Sequence, residues 1–150
     1  MADRLFFDTS VLVYAFDLSE SEKHKAASEL IEDAIINNGG AISGQVLLEL
    51  YNVLTRFVTN PMPHKEAAAI VEDFINADAW LKLDYDIPTV KRAIETASHS
   101  KVSIWDALIA ETMRENGIYT IVTENEKDFK KINGIEIINP FKQGLSRRKL

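Results

Sequence analysis

Arg4-Leu5-Phe6-Phe7-Asp8-Thr9-Ser10 reads as a short, buried strand that ends on an acid and two hydroxyls. Val11 to Phe16 then continues as a short helix. An amphipathic helix follows over 19–38, with Ala26, Leu30, Ala34 and Ile35 on its apolar side and Glu22, Lys23, Glu29 and Glu32 mostly opposite. Asn37-Asn38-Gly39-Gly40 stops it, and Ala41-Ile42-Ser43 is a second short strand. Helices over 45–58 and 64–76 come next, broken by Asn60-Pro61-Met62-Pro63, and then a strand at Trp80 to Leu83. Asp86 precedes a helix with Pro88 in its first turn that runs to about Ser98. Ser103 caps another helix, which stays apolar through Leu108, Ile109 and Met113 until Asn116-Gly117. The remaining strands are predicted at 117–123 and 135–138, joined by a polar loop over 124–131. Strands that alternate with helices in this way predict a parallel sheet with helices on both faces.

At 150 residues, with 46% hydrophobic and 27% charged side chains, the chain fits one globular domain with a real core. No internal repeat or composition shift divides it. The absence of cysteine removes disulfides and thiolate metal sites and fits a reducing cytoplasm. No apolar run is long enough to cross a bilayer, and Leu5 to Phe16 is interrupted by Asp8 and reads as no signal peptide, so a cytoplasmic protein without membrane contact is expected. The net charge of −6 argues mildly against a nucleic-acid binder, unless the acids gather into a site that cations neutralise.

Where the acids fall therefore matters. In an open parallel sheet, ligands bind beyond the carboxyl ends of the strands, where the strand order reverses. Asp8 and the Thr123-Glu124-Asn125 turn lie at such ends, and Asp106 lies at a helix start that can face the same edge. Each acid also has an ordinary role. Asp8 and Asp106 suit helix caps, Glu49 suits a solvated polar side shared with Gln45, Asn52 and Arg56, and Asp128 suits a charged loop. Taken together, carboxylates on separate elements near one edge suit hard divalent cations, which prefer oxygen ligands. Such ions activate water for in-line phosphoryl displacement.

Four stretches carry a resemblance: Leu5-Phe6-Phe7-Asp8-Thr9-Ser10-Val11-Leu12-Val13-Tyr14, Gln45-Val46-Leu47-Leu48-Glu49-Leu50, Ser103-Ile104-Trp105-Asp106-Ala107-Leu108-Ile109-Ala110, and Ile121-Val122-Thr123-Glu124-Asn125-Glu126-Lys127-Asp128-Phe129. In this order they resemble the PIN domain nucleases, and most closely the VapC-like toxins of toxin–antitoxin pairs. The resemblance implies an α/β, PIN-like fold with a five-stranded parallel sheet flanked by helices on both faces. It spans nearly the whole chain, as a domain over 1–141 followed by a basic C-terminal tail over 142–150. It implies Mg²⁺- or Mn²⁺-dependent cleavage of single-stranded RNA by metal-activated water. The metal ligands and catalytic acids it implies are Asp8, Glu49, Asp106 and Asp128, with Thr123 and Asn125 as supporting oxygen donors. Relatives differ at the fourth position, which falls on Asn125 in some and on Asp128 in others. A cognate antitoxin and a homodimer are implied as well.

Lys91, Arg92, Lys101, Lys127 and Lys130 are candidates for gripping phosphates, and solvated surface is the plainer reading of each. Trp105 is a candidate for stacking on a base, but its helical spacing to Leu108 and Ile109 favours core packing. His99 reads as a surface loop histidine. Two rival functions remain. One is a non-catalytic PIN-like module that docks RNA or a protein. The other is a phosphatase or phosphotransferase with Asp8 as nucleophile, although Ser10 stands where such enzymes carry a second acid.

Overall fold

The computed structural model describes residues 3–142. Five strands are present: β1 (Leu5–Phe7), β2 (Gly40–Ser43), β3 (Trp80–Leu83), β4 (Thr120–Val122) and β5 (Glu136–Ile138). The helices are α1 (Thr9–Leu12), continued by a 3-10 turn at Val13–Ala15, then α2 (Ser21–Ile36), α3 (Gly44–Arg56), α4 (His64–Asn76), α5 (Ile87–Ser100), α6 (Ile104–Glu115) and α7 (Glu126–Phe129). The strands form one parallel sheet in the order β3-β2-β1-β4-β5. The chain lays strands outward from β1 to β3, then crosses to the other side of β1 for β4 and β5. The order therefore reverses between β1 and β4, which pair through Leu5–Thr120, Phe6–Ile121 and Phe7–Val122. A crevice for a ligand is expected at their carboxyl ends.

Phe6 and Phe7 are fully buried, as a central strand covered on both faces requires. The main core joins them to Leu12, Ile42, Leu50, Leu54, Ile121 and Phe129. A smaller cluster of Ala93, Ala107 and Leu108 fastens α5 to α6.

Gly40 on β2 sits opposite Trp80 on β3, and a Cβ on Gly40 would lie 2.4 Å from the indole. Trp80 cannot swing aside, because it is 3% exposed and edge-packed on Phe7 and Phe74. Gly40→Ala is therefore expected to destabilise the fold by about 1–3 kcal/mol through overpacking, read as a lower urea midpoint.

Three sequence expectations change. The buried stripe of α2 is Ala27, Leu30, Ile31 and Ala34, and Ile35 is exposed. The stripe follows i, i+3, i+4, i+7 spacing and is rotated one residue from the expected one. The polar loop over 124–131 contains the short helix α7, which Phe129 anchors in the core. Trp105 is 60% exposed and not packed in the core, because α6 turns Ala107, Ile109, Ala110 and Met113 inward. The basic tail lies outside the described residues beyond Lys142.

Candidate active site

Asp8 leaves the carboxyl end of β1 in extended conformation and caps α1. Its backbone N–H donates to the Val122 carbonyl of β4 (3.0 Å), which holds it at the point where the strand order reverses. The carboxylate is buried, and both of its oxygens accept hydrogen bonds. Oδ1 accepts from the Thr9 N–H (2.9 Å), and Oδ2 accepts from the Thr123 hydroxyl (2.7 Å) and the Ser10 hydroxyl (3.1 Å). Burial raises its pKa and the charge of Glu49 adds to this, against the hydrogen bonds of Thr123, Ser10 and Thr9.

Glu49 comes from the polar side of α3, whose start Ser43 fixes by accepting from the Val46 N–H. It is half-buried. Its Oε1 accepts from the Thr9 hydroxyl (3.0 Å) and its Oε2 from the Gln45 side-chain amide (3.2 Å). Thr9 thus touches both acids, one through its N–H and the other through its hydroxyl.

Asp106 sits in the first turn of α6, and its N–H donates to Ser103 Oγ (3.1 Å). Capping and a place in the cleft are compatible, because the cap rests on the backbone N–H of Asp106 and its carboxylate still meets Asn125. Oδ2 accepts from the Asn125 side-chain amide (3.3 Å). The Asp106 pKa is pushed up to about 6, first by burial and then by the charges of Asp8 and Asp128, against hydrogen bonds from Ser103 and Asn125.

Thr123 ends β4 with a fully buried hydroxyl that donates to Asp8 and accepts from the Asn125 N–H (2.9 Å). It therefore meets the site through Asp8. Asp128 lies half-buried in the first turn of α7, and its charge reaches Asp106. Asp8, Glu49, Asp106, Thr123 and Asn125 thus form one hydrogen-bonded network across four elements, while Asp128 joins it through its charge.

Sequence reasoning gave no role to Thr9, Ser10 or Gln45. Ser10 Oγ accepts from the Glu124 N–H (3.1 Å) while donating to Asp8, so it ties α1 to the β4–α7 turn. The visible signal was the pair of hydroxyls directly after Asp8, and Gln45 lies one helical turn before Glu49. Of the phosphate-gripping candidates, Arg92 is paired with Glu115, while Lys91, Lys101, Lys127 and Lys130 are exposed. His99 belongs to the last turn of α5, not a loop, and lines a separate polar hollow with Glu111 and Arg114.

Among the described residues, no three acids or histidines close into a metal cage. The network nevertheless fits a hard divalent cation in chemistry. Its donors are carboxylates, hydroxyls and an amide, and burial followed by the charges of Asp8 and Asp128 raises the pKa of Asp106. Mg²⁺ keeps several of its waters and needs only one or two carboxylates.

Thr123→Val removes a hydroxyl from the buried Asp8 carboxylate. The expected loss is about 1–3 kcal/mol near neutral pH, the cost of a buried acceptor left short of a donor. The loss shrinks in acid, where Asp8 is protonated. Urea melts at both conditions check this, and Thr123→Ser is expected to restore the stability.

The family model for the PIN domain matches residues 5–135. No curated protein matches the chain. Among solved structures, VapC20 of Mycobacterium tuberculosis, a sarcin–ricin loop cleaving toxin, is similar with TM-score 0.67 and 18% identity, over 84% of this chain and 93% of that one. DNA-bound VapBC from Salmonella typhimurium is similar with TM-score 0.67 and 21% identity, over 93% of this chain and 99% of that one. A toxin–antitoxin complex from Klebsiella pneumoniae is similar with TM-score 0.64 and 19% identity, over 92% and 98% respectively. At these identities the likeness establishes a shared fold.

Proposed function

This chain belongs to the PIN domain family, and from that premise we propose that it is a Mg²⁺- or Mn²⁺-dependent endoribonuclease that cleaves single-stranded RNA, the toxin of a toxin–antitoxin pair. The observation that carries this reading is the network joining Asp8, Glu49 and Asp106 through Thr9, Thr123 and Asn125 at the sheet's switch point.

Asp8 and Asp106 would hold the principal cation, with Glu49 and Asp128 completing the site. A cation held by these carboxylates would supply charge neutralisation and Lewis acidity, the chemistry by which water is activated for in-line attack on phosphorus. The chain's own residues do the positioning. Thr123 and Ser10 fix the Asp8 carboxylate from one side and Thr9 fixes it from the other, so little rearrangement is needed when substrate arrives. Asn125 orients Asp106. Thr9 and Gln45 hold Glu49 toward the same edge. Attack that expels the 3′ oxygen leaves 5′-phosphate and 3′-hydroxyl ends.

Similarity to a solved toxin–antitoxin complex supports a small protein antitoxin as partner. A homodimer acting in the cytoplasm completes the proposal. Its organisation is a PIN domain over 1–141 and a basic tail over 142–150 that adds phosphate contacts. Among the described residues, no helix is long and apolar enough to cross a membrane. The test is sequencing of RNA ends after induction of the wild-type protein and of Asp8→Asn. New 5′-phosphate ends in the first sample only are expected, and identical ends in both would overturn the assignment.

A further inference from the structure

An exposed tryptophan is costly surface to leave bare, and this chain places one beside its acids. Trp105 is 60% exposed and directly precedes Asp106 in the first turn of α6. Its backbone is held at the cleft: the Gln45 side-chain amide donates both to the Trp105 carbonyl (3.2 Å) and to Glu49 Oε2 (3.2 Å). The Trp105 backbone is therefore anchored beside Asp106 and, through Gln45 of α3, to Glu49. An RNA strand with a phosphate at Asp106 and Glu49 must carry a neighbouring nucleotide past this rim. Unpaired bases stack on such rings with little regard to sequence.

We propose that Trp105 is the base-stacking platform of this cleft, taking an unpaired base next to the phosphate held at Asp106. The assignment rests on the ribonuclease reading for its substrate class, and it explains a preference for single strands over duplex, in which no base face is free. A second copy of the chain covering Trp105 is the competing occupant, and its position at the acids favours RNA.

The chain's composition supplies the assay. Of its two tryptophans, Trp80 is buried at 3% exposure, so quenching by solute or ligand reports on Trp105. The full-length Asp8→Asn protein with Mg²⁺ is titrated with a short single-stranded oligoadenosine and with a duplex of the same length. Saturable quenching by the single strand alone is expected. Adding Trp105→Ala to this background is expected to weaken binding, followed by anisotropy of labelled oligonucleotide, about 5- to 150-fold, the equivalent of one base–aromatic stack of ~1–3 kcal/mol. Trp105→Phe is expected to keep most of the affinity, whereas loss of packing or fold would affect both variants.

Unchanged affinity in Trp105→Ala, or no binding of single-stranded RNA at all, would overturn the assignment. So would shielding of Trp105 that follows protein concentration without RNA, the mark of a second copy. Cleavage by the otherwise wild-type protein is scored separately. Stacking without cleavage would remove the nuclease reading and keep the platform, and cleavage unaffected by Trp105→Ala would do the reverse.

Discussion

Asp8→Asn is expected to lower cleavage on the order of 10³-fold or more, the several kcal/mol that a positioned cation contributes to a phosphoryl transition state. Stability is expected to hold or rise. Asp8 is buried with its pKa raised by that burial, so its charge is a cost to the fold at neutral pH. Asparagine keeps the shape and an acceptor for the Thr9 N–H while removing the charge. Asp106→Asn follows the same logic, because burial and two neighbouring charges push Asp106 up to about 6. The two effects point in opposite directions, which separates function from folding. An acid that only capped its helix would leave the rate alone, since asparagine caps about as well as aspartate. Single-turnover cleavage of a labelled RNA, paired with a thermal melt of each variant, reads both, and full activity in either purified variant would sink the assignment.

Without divalent cations, the protein is expected to lose stability as pH rises from about 4 through about 6. Asp106 binds its proton more tightly folded than unfolded, since its folded pKa is about 6 against an ordinary value of 3.8. Between those values the folded state carries more protons, so raising the pH favours the unfolded chain. Asp8 is shifted the same way. The Asp106 gap corresponds to at most about 3 kcal/mol, and screening around a half-buried carboxylate reduces this to about 1–2 kcal/mol. Cations that bind the ionised pair reverse the trend. Mn²⁺ is expected to raise the melting temperature near neutral pH and to do little near pH 5, on the order of one unit below the Asp106 value. Asp106→Asn should flatten the pH dependence of the apo protein and remove most of the Mn²⁺ effect. Melts across this range with and without Mn²⁺ check the sign, and a cation-free protein that gains stability toward pH 7 would contradict the arrangement.

The elements were largely legible in the sequence because their signals are local. Leu5-Phe6-Phe7 is apolar without interruption, Pro88 sits in a first helical turn, and Ser103 stands three residues before Asp106, so hydrophobic period and cap chemistry placed β1, α5 and α6. Where local signals were ambiguous, the reading slipped. The α2 stripe was placed one residue off because Ile35 is as apolar as Ile31, and only packing into the core selects the latter. Trp105 looked like core by spacing, but among the described residues it stays 60% exposed.

The chain order of Asp8, Glu49, Asp106 and Asp128 was visible in the sequence, as was the family they resemble. Each of these acids also suited a cap or a solvated surface, and nothing in the linear order of residues chooses between those roles. The choice is tertiary. The strand order β3-β2-β1-β4-β5 brings residues more than a hundred positions apart to one edge, where Thr123 donates to Asp8. Burial, with the nearby charges of Asp8 and Asp128, raises the proton affinity of Asp106, and that coupling is a property of burial and distance. Sequence therefore determined the parts and the kind of chemistry they suit, from apolar period, caps and motif order. Only the folded chain decided that the carboxylates share one network, that Thr9, Ser10 and Gln45 hold it together, and that Trp105 beside Asp106 is exposed.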